Sequence, residues 1–293
     1  MKVALTGGAG FIGSHVLREL AGYGHEVTAL VRNEDQAVKV TASSAEARVV
    51  DLCDRAAVVE ILNHTDAAVH TASPGDATSA DLDSAVVDAV IEAYGGTGKA
   101  ALLVSGLWVY GANTSVTEES PFSAPPMVAW KQPVERRLLN APGIRAVVPV
   151  SSVAYGDGGG MIPGLLLGSP RDGSGNLIML GTGEQHWSTV HVADLANFFR
   201  LALEAESASG YYVVGNGANS TVADLTRAAA VAAAAAGAVP GSEQEARKRL
   251  GDYFAEVLLL DQGTAAAKAR AELGWNPSRP SLLGEFRNGS YRR

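Results

Sequence analysis

Apolar and polar positions in this chain alternate between two periods. Val3, Ala4 and Leu5 form a short continuous apolar run, and Thr6 to Gly10 make a glycine-rich turn. Ile12, Val16, Leu17 and Leu20 follow at the i, i+4, i+5, i+8 spacing of a helix face. The succession then repeats. Residues 26–31 read as a second strand, and Val49-Val50-Asp51-Leu52 as the end of a third. Asp54 stands where it can cap the helix after it. Residues 67–73 read as a strand running into a loop with Pro74 and Gly75, residues 81–94 as a helix, and residues 101–105 as a fifth strand. This alternation predicts an α/β fold, a Rossmann-like doubly wound parallel sheet with helices on both faces. Ligands of such sheets bind beyond the carboxyl ends of the strands.

The texture changes after residue 112. Residues 113–126 are polar and proline-rich and read as a loop, and helical spacing resumes over 130–140. Pro133 lies two residues past Lys131. Proline is comfortable only in a first turn, so the helix either begins near 130–132 or is kinked there. A strand is expected over 144–148, then a flexible segment with three glycines at 158–160, suited to a pocket rim. Met161 to Leu167 is apolar, residues 168–183 form a Gly/Ser-rich loop, and residues 228–236 are almost all alanine, a good helix former. With no repeat or linker, the chain divides into a nucleotide-binding core over 1–150 and a mixed region over 151–293. That region returns to the core and caps it as a small substrate-binding lid, in one compact unit.

Composition narrows the partners. The chain has 293 residues, 47% of them apolar, enough for a large core. A net charge of −8 argues against nucleic acid or an anionic membrane surface as the partner. The single cysteine, Cys53, allows no internal disulfide and fits a reducing, cytoplasmic setting. The first apolar run is consumed by a strand, not by a signal peptide. No apolar run approaches the roughly 20 residues of a membrane span. The expected partner is a small molecule, with no metal, and the chain is a monomer or a homodimer.

Candidate chemistry begins at T-G-x-x-G-x-x-G. Gly7 allows the tight turn, Gly10 lets backbone approach a pyrophosphate, and Gly13 lets helix and strand pack closely. Thr6, Phe11 and Ile12 complete this cradle, and the helix start presents free N–H groups to phosphate. Arg32 ends the second strand where NAD-selective proteins place an acid, so a 2′-phosphate and hence NADP is expected. Asp51 and Leu52 are placed to flank an adenine. Thr71, Ala72 and Ser73 are small enough for cofactor to lie against backbone. His70, inside an apolar strand, reads as a satisfied core histidine. Ser105 ends the fifth strand, on the ligand side of the sheet.

These landmarks resemble the extended short-chain dehydrogenase/reductase family. Others that do so are Val109-Tyr110-Gly111, Val153-Ala154-Tyr155-Gly156, Trp187-Ser188 with Val190-His191, Asp194-Leu195 and Glu272-Leu273-Gly274-Trp275. The resemblance implies a Rossmann core, a C-terminal substrate region, and NAD(P)-dependent oxidation, reduction, epimerisation or dehydration. It also implies a catalytic Ser and a Tyr-x-x-x-Lys pair, of which only the lysine, Lys131, carries over. Met127 stands in the tyrosine's place and Gly106 in the serine's, with Ser105 one position early. A thioether supplies none of the 10²–10⁴-fold that general acid–base help typically contributes. Lys131 can hold the nicotinamide ribose and place charge near a developing alkoxide. Ser105, Tyr110, Tyr155 and His186 are the replacement donors to examine. Trp108, Tyr110, Tyr155, Met161, His186 and Trp187 are the candidate substrate-facing side chains.

The pattern looks like that of actinomycete polyketide ketoreductases. The expected activity is NADPH-dependent reduction of a bulky aromatic, angucyclinone-like ketone whose own phenol supplies the proton. The alternatives are a non-catalytic NADP-sensing protein and an NAD(P)-dependent epimerase or dehydratase.

Overall fold

A computed structural model describes residues 1–43 and 45–292. The first half of the chain alternates β1 (Lys2–Thr6), α1 (Phe11–Gly22), β2 (Glu26–Val31), α2 (Glu34–Thr41), β3 (Glu46–Val49), α3 (Arg55–Asn63), β4 (Ala67–His70), α4 (Ser79–Tyr94) and β5 (Ala100–Leu103). A short β6 (Ser105–Gly106) and a 3-10 turn over Leu107–Tyr110 follow. Next come β7 (Asn113–Val116), α5 (Lys131–Leu139), β8 (Arg145–Ser151), β9 (Val153–Tyr155), α6 (Met161–Leu167), β10 (Leu177–Ile178), β11 (His186–His191) and α7 (Val192–Glu204). The chain closes with β12 (Gly210–Val214), β13 (Asn219–Thr221), α8 (Val222–Ala232), β14 (Ala238–Val239), α9 (Glu243–Leu250), α10 (Asp252–Leu258), β15 (Gln262–Thr264), α11 (Ala267–Leu273) and α12 (Leu282–Asn288).

The main sheet is parallel, in the order β12-β8-β5-β4-β1-β2-β3, with β6 on β8. The strand order reverses between β1 and β4, which is where such sheets bind ligands. Side chains alternate across the sheet with period two. Val3, Leu5, Val69 and Leu102 face α1 and α7, where Leu17, Leu20, Phe198, Phe199 and Trp275 complete one core layer. Ala4, Ala68, Ala101 and Leu103 face α3, α4 and α5, packing on Leu62, Val86, Val90 and Leu138.

β12 and α7 lie beyond residue 150 in sequence, yet complete the first sheet and its cover. α11 and Trp275 also join the first core layer, whereas α6, α8, α9, α10 and α12 build a separate apolar cluster around Tyr155, Leu166, Trp187, Leu225 and Phe286. The end of the chain is tied back at Asp194. Its carboxylate accepts from the Ser278 and Arg279 amides, and its carbonyl accepts from the Trp275 indole at 2.8 Å.

Several segments differ from the sequence expectation. β3 ends at Val49, not Leu52, and β5 ends at Leu103, so that Ser105 lies in β6 on β8 and not at the end of the fifth strand. Residues 113–126 are not wholly loop, because β7 pairs with β15. Residues 168–183 contain β10, which pairs with β14. Both pairings are short and join distant segments, and β7 buries only Val116.

Candidate functional site

The glycine turn leaves the carboxyl end of β1 at the switch point. Gly7 has φ +74°, a conformation that favours glycine, and a Cβ there would lie 2.6 Å from the Ala72 amide. A Cβ on Gly13 would lie 2.1 Å from the Gly7 carbonyl, so α1 packs directly on the turn. Around Gly10 the nearest atom to an added Cβ is the Gly7 carbonyl, at 3.2 Å. The start of α1 has no side-chain cap and no acid in its first turn. Its leading N–H groups therefore remain available to an anion. Thr71 Oγ1 donates to the Thr6 carbonyl at 2.8 Å, which brings the Thr71-Ala72-Ser73 segment beside Gly7. Arg32 is exposed at the end of β2, and Asn33 beside it caps α2 by accepting from the Gln36 amide. Asp51 caps its own turn by accepting from the Cys53 amide, and Leu52 is half-buried against the core. An open, uncapped helix start next to a strand-end arginine fits a dinucleotide with a 2′-phosphate.

The other group of candidate residues is set by α5. The helix starts at Lys131, which places Pro133 in its first turn, where its missing N–H costs nothing. Met127 is thus outside the helix, exposed in the turn before it, with its carbonyl accepting from the Trp130 indole. Lys131 Nζ lies 4.5 Å from the centre of the Trp130 ring and 3.3 Å from Asp83 Oδ2. Asp83 is buried in α4, and its other oxygen is 3.1 Å from His70 Nε2. His70 Nδ1 is 2.6 Å from Thr6 Oγ1, which in turn accepts from the Ala72 amide. His70 is the satisfied core histidine expected, and its partners run from the glycine turn to the lysine. Burial raises the Asp83 carboxyl, but the hydrogen bond with His70, together with Lys131, outweighs it and holds the group below the ordinary range.

One helical turn along α5, Glu135 is buried with both carboxyl oxygens lacking a hydrogen-bond partner. Burial raises its pKa, and the positive charge of Lys131 opposes the shift. The hydroxyls of Ser105, Tyr110 and Tyr211 also lack partners. Ser105 is therefore a buried, unpartnered hydroxyl and not one held ready by a lysine or histidine.

The remaining candidates are dispersed. Tyr110 stacks on Phe122 at 4.9 Å in the layer under the 3-10 turn. Tyr155 is fully buried, donating to the Pro280 carbonyl and accepting from Asn216. Trp187 is buried with its indole donating to the Leu258 carbonyl. His186 pairs with Asp261 at 2.9 Å and is partly exposed. Trp108 meets Phe254 of α10 edge-on, and Met161 is exposed where α6 leaves the glycine segment. That segment reaches the cofactor turn, since a Cβ on Gly159 would fall 2.5 Å from the Phe11 ring. No His/Cys/Asp/Glu group suited to a metal occurs among the described residues. No described helix is long and apolar enough to cross a membrane.

Asp83 and Glu135 are the polar residues that motif reading passed over. The available signal was phase. Asp83 falls on the stripe of Ser79, Val86, Val87, Val90 and Tyr94, and Glu135 on that of Leu138, all buried. An acid in register with a core face needs a partner.

The description "NAD dependent epimerase/dehydratase family" matches residues 3–215. An uncharacterized protein of Schizosaccharomyces pombe is 28% identical over 303 residues, covering 99% of this chain and 100% of its own. The 4-hydroxy-2-methyl-3-oxo-4-farnesyl-3,4-dihydroquinoline-1-oxide ketoreductase of Stigmatella aurantiaca is 27% identical over 235 residues, 74% of this chain and 69% of its own. The crystal structure of human epimerase family protein SDR39U1 (isoform 2) with NADPH has a TM-score of 0.77 and 24% identity, over 99% of both chains.

Proposed function

This chain belongs to the NAD dependent epimerase/dehydratase family, and on that premise we propose that it is an NADPH-dependent ketoreductase acting on a bulky aromatic ketone. The observation that carries the reading is Met127 beside a retained, carboxylate-held Lys131. Epimerases and dehydratases begin by oxidising a carbinol, which requires a base for the hydroxyl proton. Neither a thioether nor a lysine paired with Asp83 is such a base. Reduction requires a proton donor instead, and the substrate can carry one.

When bound, NADPH supplies hydride to the carbonyl carbon. The chain binds and orients. The Gly7–Gly13 turn takes the pyrophosphate, Arg32 the 2′-phosphate, and Lys131 the nicotinamide ribose hydroxyls. The Lys131 ammonium also adds positive charge where an alkoxide develops. A phenol hydrogen-bonded to the ketone gives its proton to that oxygen, and the phenolate recovers one from water. An angucyclinone, as in simocyclinone biosynthesis, has this arrangement. The Stigmatella relative, named a ketoreductase, lends support to the reaction class.

NADPH consumption is the test, with a ketone bearing an adjacent phenol compared against its O-methyl ether. The phenol should react at least about tenfold faster, within the range for general acid help. Equal rates would remove the substrate-borne proton. Tight NADPH binding with no turnover of any ketone would favour the non-catalytic NADP-binding reading.

A further inference from the structure

We propose that Asp83 is a positioning residue, holding the Lys131 ammonium at the nicotinamide-ribose end of the cleft while His70 anchors that carboxylate to the glycine turn. The proposal rests on the NADP-binding part of the reading above. Four side chains from four elements form one continuous chain. Thr6 ends β1, His70 ends β4, Asp83 lies in α4 and Lys131 opens α5, with successive separations of 2.6, 3.1 and 3.3 Å. Both oxygens of Asp83 and both ring nitrogens of His70 are used, which fixes each group in direction as well as place. One proton arrangement satisfies every member. Thr6 donates to His70 Nδ1, His70 Nε2 donates to Asp83, and the ammonium donates to the second oxygen.

Stability alone does not account for the pair. Burying opposite charges together is often no better than apolar packing, because the desolvation is costly. The α4–α5 interface is already secured elsewhere. Arg137 donates to the Ser84 hydroxyl and pairs with Asp88 at the exposed rim, and Val134 and Leu138 pack in the same layer as Val86 and Val87. What Asp83 adds is the location of one atom. Lysine is a point charge on a flexible four-carbon stem. With Met127 in the turn before α5, no hydroxyl at that position holds the ammonium, and Asp83 takes over the task from behind. A dinucleotide bound as proposed would meet this chain of side chains at the glycine turn and at Lys131, so both of its halves would face one preset frame.

The test is a double-mutant cycle on the full-length protein, read as NADPH dissociation constants and needing no ketone. Asp83→Asn should weaken binding about tenfold, the order expected for losing a charge-assisted hydrogen bond that orients a ligand group. In a Lys131→Met background the same substitution should change binding less than about twofold, because Asp83 acts through the lysine. Equal losses in both backgrounds would overturn the proposal and leave Asp83 a structural residue. If Asp83→Asn does not fold, His70→Gln takes its place in the cycle, with the same expected dependence on Lys131 and the same overturning result. A wild-type protein that binds no NADPH would instead bring down the functional reading itself, a result separable from additivity.

Discussion

At the residue scale, Lys131 draws down two carboxyls, Asp83 and Glu135, whose net shifts run in opposite directions. Asp83 is held below its ordinary range, so its contribution to stability is present above its unfolded pKa of about 3.9 and is lost as the pH falls through the folded value. Glu135 is pushed up, chiefly by burial, so its contribution is complete below an unfolded pKa of about 4.3 and disappears as the pH rises through the folded value. Glu135→Gln, a mimic of the protonated acid, should therefore melt at or above the wild-type temperature near pH ~8, and its midpoint should vary less between about pH 5 and 8. Thermal melts across that range check this. A larger loss at pH ~8 than at ~5 would show that the ionised form is the one stabilised. If the proposed role of Arg32 at the 2′-phosphate holds, Arg32→Ala should weaken NADPH about tenfold and NADH less than about twofold, as measured by titration. The glycines of the turn were legible because each meets a backbone need that sequence spacing displays. Asp83 was not, since its partners come from residues 70 and 131, on separate elements.

At the element scale, the start of α5 decides what residue 127 can do. The family's tyrosine and lysine lie one helical turn apart, but here the helix begins at Lys131, leaving Met127 in a turn held by the Trp130 indole. Met127→Tyr should therefore not restore fast reduction of a simple, non-phenolic ketone, and NADPH consumption should stay within about threefold of the wild type. A larger gain would mean that the turn rewinds into helix when a phenol is supplied. Pro133 left two possibilities open in the sequence, and the first-turn placement prevails because no intrahelical bond is lost there. β7 was illegible for a different reason. Its partner, β15, is remote in sequence, and a short strand with one buried residue carries no period.

At the scale of the whole molecule, the alternation of strands and helices was enough to give the parallel sheet. Which late segments return to it was not, because edge pairing such as β8 with β12 depends on contacts that local pattern does not encode. The return matters most at α1. Leu17 and Leu20 are covered by Phe198, Phe199 and neighbouring residues of α7, and Glu19 accepts from Arg200 across 181 positions. A fragment ending at residue 150 should consequently fail to give a cooperative melt or bind NADPH, and adding the 151–293 fragment should recover both. Independent folding of the first fragment, seen by circular dichroism, would contradict this.

The same α1–α7 seam has a consequence during synthesis. The glycine turn leaves the ribosome well ahead of α7, and the helix behind it stays uncovered until the segment around Arg200 emerges. At roughly 5–20 residues per second, the nascent chain spends about ten seconds or more with that greasy stripe bare. Slowing translation in this interval prolongs exposure, while chaperone capture shields it, so yield in the cell should respond to both.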